Sequence, residues 1–90
     1  MAWRIEFERS AERELEAFGS QAIKRILKFL HQRVAPLDDP RSIGEALKGK
    51  QLGEFWKYRV GDFRIIADIR DTEIVIVVVC VGNRRDVYRR

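Results

Sequence analysis

Ninety residues make one small domain, residues 1–90, which buries roughly 60% of the surface its unfolded chain would expose, and a hydrophobic share of 46% excludes a disordered chain. Eighteen Lys and Arg against fourteen Asp and Glu leave a net charge of +4; residues 1–46 carry eight of each sign and residues 47–90 carry ten basic and six acidic, so the C-terminal half is expected to meet a polyanion or an acidic protein. The single cysteine, Cys80, excludes an internal disulfide, no apolar run approaches the ~20 residues of a membrane span, and the charged start MAWRIEFERS lacks the apolar stretch of a signal peptide, so the chain is expected in the cytoplasm, away from membranes.

In chain order, AWRIEF alternates apolar and polar residues and reads as a first strand. A helix follows over SAERELEAFG, with Ser10 as its cap, Glu12 and Glu14 in its first turns and Gly19 ending it. A second helix starts at Ser20 and places Ile23, Ile26, Leu27, Leu30 and Val34 at helical spacing until the two prolines of APLDDPR stop it. The short connection makes the two helices an antiparallel hairpin. After a loop through GEALKGKQLGE come FWKYRV, FRIIADIR and EIVIVVVCV, joined by the two-residue turns Gly61-Asp62 and Asp71-Thr72. The order β-α-α-β-β-β predicts an α+β fold, a small mainly antiparallel sheet with the helix hairpin on one face.

The Gly61-Asp62 turn also predicts a register: Val60 opposite Phe63, Arg59 opposite Arg64, Tyr58 opposite Ile65 and Lys57 opposite Ile66. Trp56, Tyr58, Val60, Phe63, Ile65, Ala67 and Ile69 then share the core face, and Lys57, Arg59 and Arg64 share the other. Like charges opposed across strands cost some tenths of a kcal/mol (~0.2–1), so a sheet that gathers three cations holds them for a ligand. Counting on through Asp71-Thr72 puts Val79 beside Arg64 and Cys80 beside Phe63, with Cys80 read as a small buried hydrophobe. The last strand thus ends at the Gly61-Asp62 turn and brings Arg84, Arg85 and Tyr88 toward the cations. Val75, Val77 and Val79 fall on the cationic face, where either the tail or a partner must cover them.

This set contains no carboxylate pair, no metal-ligand cluster and no Ser-His-Asp or Cys-His constellation, and LKGKQLG lacks the spacing of a phosphate loop. The chemistry it suits is cleavage of RNA without a metal or other cofactor. Arginines hold the scissile phosphate and offset the charge that develops on it, and Tyr88 takes the proton of the 2′-hydroxyl. A free tyrosine, with pKa ~10, is a weak base near neutrality, but one guanidinium at ~4 Å and an effective dielectric of 20 is worth roughly 4 kcal/mol before solvation losses. Lys57 or an arginine serves the leaving 5′-oxygen. Lys48 and Lys50 are read as a solvated loop or as contacts to the RNA backbone. His31 is read as a surface residue of the helix hairpin.

LKGK, WKYRVGDFRIIADI, the Val/Ile strand and VGNRRDVYRR together resemble the RelE/ParE superfamily of toxin–antitoxin modules, over essentially the whole chain. The resemblance implies a type II toxin. On the RelE side such toxins are ribosome-dependent endoribonucleases that cut mRNA in the A site and inhibit translation; on the ParE side they inhibit DNA gyrase. The arginines and Tyr88 of the tail resemble the RelE side. Carried over, Lys57, Arg59, Arg64, Arg84 and Tyr88 are the catalytic residues, with Arg85 a rival to Arg84. Lys48, Lys50, Arg85 and Arg89 contact RNA or the ribosome. A RelB-like antitoxin in a higher-order complex is the implied partner, beside the ribosome and its mRNA. Two departures stand out: Asn83 where many relatives have histidine, and Arg59 where well-studied members have lysine. Arginine stabilises an oxyanion but is a poor proton donor.

Overall fold

The computed structural model describes residues 2–47 and 55–83. The elements are β1 (Arg4–Phe7), α1 (Arg9–Ala17), α2 (Ser20–Phe29), a π-helical turn (Leu30–Val34), a 3-10 turn (Pro40–Ile43), β2 (Glu45–Ala46), β3 (Phe55–Val60), β4 (Phe63–Arg70) and β5 (Val75–Asn83). The sheet has five strands in the order β1-β5-β4-β3-β2, antiparallel except where β1 runs parallel to β5. No helix among the described residues is long and apolar enough to cross a membrane.

The helix hairpin forms as expected, with two local differences. Glu8, not Ser10, precedes the first turn of α1, and no side chain caps it. The second helix reaches Val34 by widening its last turn, where the Ala35 amide donates to the Leu30 carbonyl at 2.8 Å. Gly19, at φ 92°, takes the left-handed turn between the helices. The apolar face of the hairpin places Ala11, Leu15, Ile26, Leu30 and Val34 against Tyr58, Val60, Ile65, Ala67, Ile69, Ile76, Val78 and Val81 in one core, with Trp56 and Phe63 packed at its margin.

The β3–β4 register is as read from the turn, including Arg59 opposite Arg64. Gly61 has φ 59° while Asp62 has no positive φ, the pattern of a type II′ hairpin turn. The β4–β5 register differs. Its turn takes four residues, 71–74, so that Arg70 pairs with Val75, and a bulge between Ile66 and Ala67 leaves Val79 as an extra residue on β5. Two residues from the turn and one from the bulge move Arg64 from Val79 to Gly82 and Phe63 from Cys80 to Asn83. Ile74 closes the longer turn at φ 54°, a conformation that costs a β-branched residue roughly 1–2 kcal/mol. Its carbonyl accepts from the Arg4 amide, so β1 engages the turn.

The apolar run of β5 is explained by its place between β1 and β4. Val75 and Val77 lie on the face away from the helices, in register with Arg4 and Glu6 on one side and Arg70 and Asp68 on the other, and both are already buried. Of the apolar surface expected there, Val75 and Val77 are therefore out of solvent, while Val79, the bulge residue, is half-buried. Cys80, expected in the core, is half-buried on the cationic face opposite Ile66, because the bulge reverses the alternation of β5.

Tyr58 ties the 3-10 turn to the sheet: its hydroxyl, 1% exposed with the rest of the residue, donates to the Pro40 carbonyl at 2.6 Å. Burial pushes the phenol up to about 12, with nearby Arg41 opposing and Asp39 reinforcing. The unfolded chain therefore loses this proton first. The contribution is complete below pH ~10 and drains away between there and about 12, at up to about 1.4 kcal/mol per pH unit. Tyr58→Phe should cost about 1–2 kcal/mol at neutral pH, where the Pro40 carbonyl loses its donor, and should remove this part of the alkaline loss. Urea midpoints of both proteins at pH 8 and pH 11 check it; an equal alkaline loss in both would reject the assignment.

Candidate functional site

The end of the sheet at the Gly61-Asp62 turn gathers the expected cations. Arg59 of β3 and Arg64 of β4 face each other across the ladder, and with Gly61, Asp62 and Phe63 they line a cleft of about 140 Å³. Arg59 is exposed. Arg64 is only 5% exposed, so its charge is seated in the sheet rather than solvated, and its Nη1 is fully enclosed. Its other cross-strand neighbour is Gly82, which contributes no side chain to this face. Phe63 braces the cleft from behind, edge-on to Phe18 of the helix connection with ring centroids 5.0 Å apart.

Lys57 lies on the same face but has a local partner. Glu45 of β2 sits directly opposite it, and its Oε2 is 3.3 Å from the Lys57 Nζ. The far end of the face is balanced by its own pairs, Arg4 with Glu6 and Arg70 with Asp68 and Glu73. Arg41 forms a two-pronged pair with Asp71 and lies 5.9 Å from the Trp56 ring centroid, which latches the 3-10 turn to the β4–β5 turn. That hydrogen bond from Arg41 holds the Asp71 carboxyl below its usual range. Asp62 lines the cleft itself and Glu45 pairs with Lys57, while Arg59 has no ion-pair partner among the described residues.

Lys57, Arg59 and Arg64 share one face, as expected from the register, with Arg59 and Arg64 alone of the three lining the cleft. Three further residues show no signal of their contacts in the sequence. Glu45, expected in a loop, stands in β2, a strand of two residues that is too short to show a period. Glu14, expected only to favour the first turns of its helix, accepts at Oε1 from the Val81 amide at 3.0 Å, beyond the last β1 pairing at Val78. Arg25 stands on α2. Its guanidinium lies 2.8–3.0 Å from where a side chain at Gly61 would start, so α2 places a further cation against the cleft turn. Lys48, Lys50, Arg84, Arg85, Tyr88 and Arg89 lie outside the described residues. The last strand does end beside the turn, with Asn83 opposite Phe63 where the count had put Cys80.

Gly61 is favoured by its positive φ, and a Cβ there would meet only the movable end of Arg25. Gly61→Ala should destabilise the domain by about 1–2 kcal/mol, the cost of a left-handed residue with a Cβ, and should displace the flexible Arg25 head. A urea midpoint equal to wild type would show that the turn changes type at no cost.

The chain matches the family described as the ParE toxin of type II toxin–antitoxin system, parDE, over residues 5–88. It is 26% identical over 90 residues to Toxin RelG of Mycobacterium tuberculosis, covering 100% of both chains. Among solved structures, the toxin–antitoxin complex RelBE2 of M. tuberculosis contains a chain that superposes with a TM-score of 0.82 at 21% identity, covering 96% of this chain and 95% of that one. A mutant of the E. coli toxin RelE, bound to a peptide of its antitoxin RelB, gives 0.68 at 24% identity, covering 99% and 93%. At such identities these two likenesses speak for the fold.

Proposed function

The chain belongs to the ParE toxin family of type II toxin–antitoxin systems, and from that premise we propose that it is a ribosome-dependent endoribonuclease that cuts mRNA in the A site. The observation that carries this reading is the cleft lined by Arg59 and the enclosed Arg64, paired in register across the hairpin, because two planar guanidinium forks on one polar cleft suit the oxygens of a phosphate. In the proposed reaction the 2′-oxygen attacks the adjacent phosphorus and the bond to the 5′-oxygen breaks. Tyr88 takes the 2′-hydroxyl proton. Arg64, with Arg59 and Arg84, offsets the charge on the phosphoryl oxygens. Lys57, steadied by Glu45, gives a proton to the leaving oxygen. Lys48, Lys50, Arg85 and Arg89 hold the RNA or ribosome, and a RelB-like antitoxin with acidic side chains covers the cations.

The products are then a 2′,3′-cyclic phosphate and a 5′-hydroxyl. Primer extension on mRNA from programmed ribosomes tests this, with stops expected at the A-site codon. Intact ribosome-bound mRNA in cells whose growth the protein still arrests would reject it. A second reading is favoured by the family match itself, which is to ParE: inhibition of DNA gyrase. Loss of supercoiling by purified gyrase on adding the protein supports that reading, and unchanged supercoiling at large excess rejects it.

A further inference from the structure

From Ser20 to Val34 the chain carries Lys24, Arg25, Lys28, His31 and Arg33 and no Asp or Glu. The neighbouring α1 is mixed, with Arg9 and Arg13 among Glu12, Glu14 and Glu16. Lys24, Arg25 and Lys28 are all exposed, and none has an ion-pair partner among the described residues. Like charges three and four residues apart on a helix repel, so this face is uncompensated within the fold. Lys24 and Lys28 stand about 6 Å apart along the axis. Arg25 is seated against Gly61, which itself lines the Arg59–Arg64 cleft. The cationic surface therefore continues from the cleft, through Arg25, onto the outer face of α2.

We propose that this face of α2 is a second polyanion site that docks on the ribosomal RNA backbone, an inference that rests on the ribosome-dependent reading above. Charge complementarity selects the occupant. Tight protein interfaces centre on aromatic or arginine anchors seated in desolvated pockets, whereas Lys24 and Lys28 stand exposed and, among the described residues, the one large exposed hydrophobic side chain is Ile43, on the 3-10 turn rather than on α2. A phosphate backbone needs none and is held by cations on exposed stems. Lys24 and Lys28 bind and orient the RNA; the cleft performs the chemistry.

The test compares wild type with Lys24→Ala/Lys28→Ala in binding to purified 70S ribosomes across a salt series. Alanine is the better helix former at exposed positions, so the variant folds, and circular dichroism checks it. Loss of two phosphate contacts should lower the slope of log affinity against log salt by about 1.4–1.8, and the affinity itself roughly thirtyfold near 0.1 M salt. Equal affinity and slope in the two proteins overturn the proposal. So does a variant that keeps ribosome binding and loses antitoxin binding, which would assign the face to a protein. Wild type that binds ribosomes without cutting mRNA overturns the nuclease reading alone, since the salt series still decides this site; wild type that binds no ribosome overturns both.

Discussion

Arg64→Ala should lower single-turnover cleavage of ribosome-bound mRNA by about 10²–10³-fold, the cost of removing one positioned donor to a developing oxyanion, while ribosome affinity changes much less. Arg64 stands in β4 between Arg59 and the bare Gly82, and it is enclosed rather than solvated. A charge already taken out of bulk water interacts more strongly with charge that appears beside it in the reaction. It is also held in place by the ladder, so little reorganisation accompanies the reaction. The same burial has a second consequence. Its stem fills part of the sheet face, so truncation to alanine removes packing as well as charge, and relief from Arg59 offsets only some tenths of a kcal/mol (~0.2–1). The expected stability loss separates from catalysis by including Arg64→Lys, which keeps the charge and most of the stem but not the planar fork. Both variants should bind ribosomes and cut slowly. A lysine variant with wild-type rate would show that charge alone suffices. An alanine variant that binds weakly but cuts normally at saturation would move Arg64 from the chemistry to docking.

Tyr88→Phe should cost about 10²–10⁴-fold in the same assay, the usual contribution of a positioned general base, with stability and ribosome affinity near wild type. A tyrosine beside guanidinium groups titrates below its ordinary value, so the wild-type rate at saturating ribosomes should rise with pH up to a plateau reached below pH ~10. The phenylalanine variant should lose that rising limb as well as the rate. A variant with the same pH profile as wild type, merely scaled down, would make Tyr88 a positioning group and leave the base to be found elsewhere.

The parts of this protein legible in the sequence are those written in short-range signals. The apolar spacing of Ile23, Ile26, Leu30 and Val34, the left-handed Gly19 and the Gly61-Asp62 turn each depend on residues within a few positions of one another. A two-residue turn closes its own hydrogen-bonded pair, so it carries the register of β3 and β4 with it, and from that register the meeting of Arg59 with Arg64 follows by alternation. Counting failed once the chain departed from strict alternation without a marker. Nothing in Asp71–Ile74 announces that an isoleucine takes the left-handed position, and no glycine or proline signals the bulge at Val79, so the tertiary pairing of β5 with β1 and β4 decided where the last strand sits. The same is true of each contact that joins distant segments: Glu45 opposite Lys57, Glu14 on the Val81 amide, Arg25 on Gly61. Charge summed over half the chain also concealed α2, because the acids of α1 cancel its cations in a total although they do not pair with them in space. The sequence by itself determined which residues are cationic and which pair of them share a hairpin. Only the folded sheet, in which burial depends on neighbours far along the chain, decided that Arg64 is enclosed while Arg59 remains open to solvent.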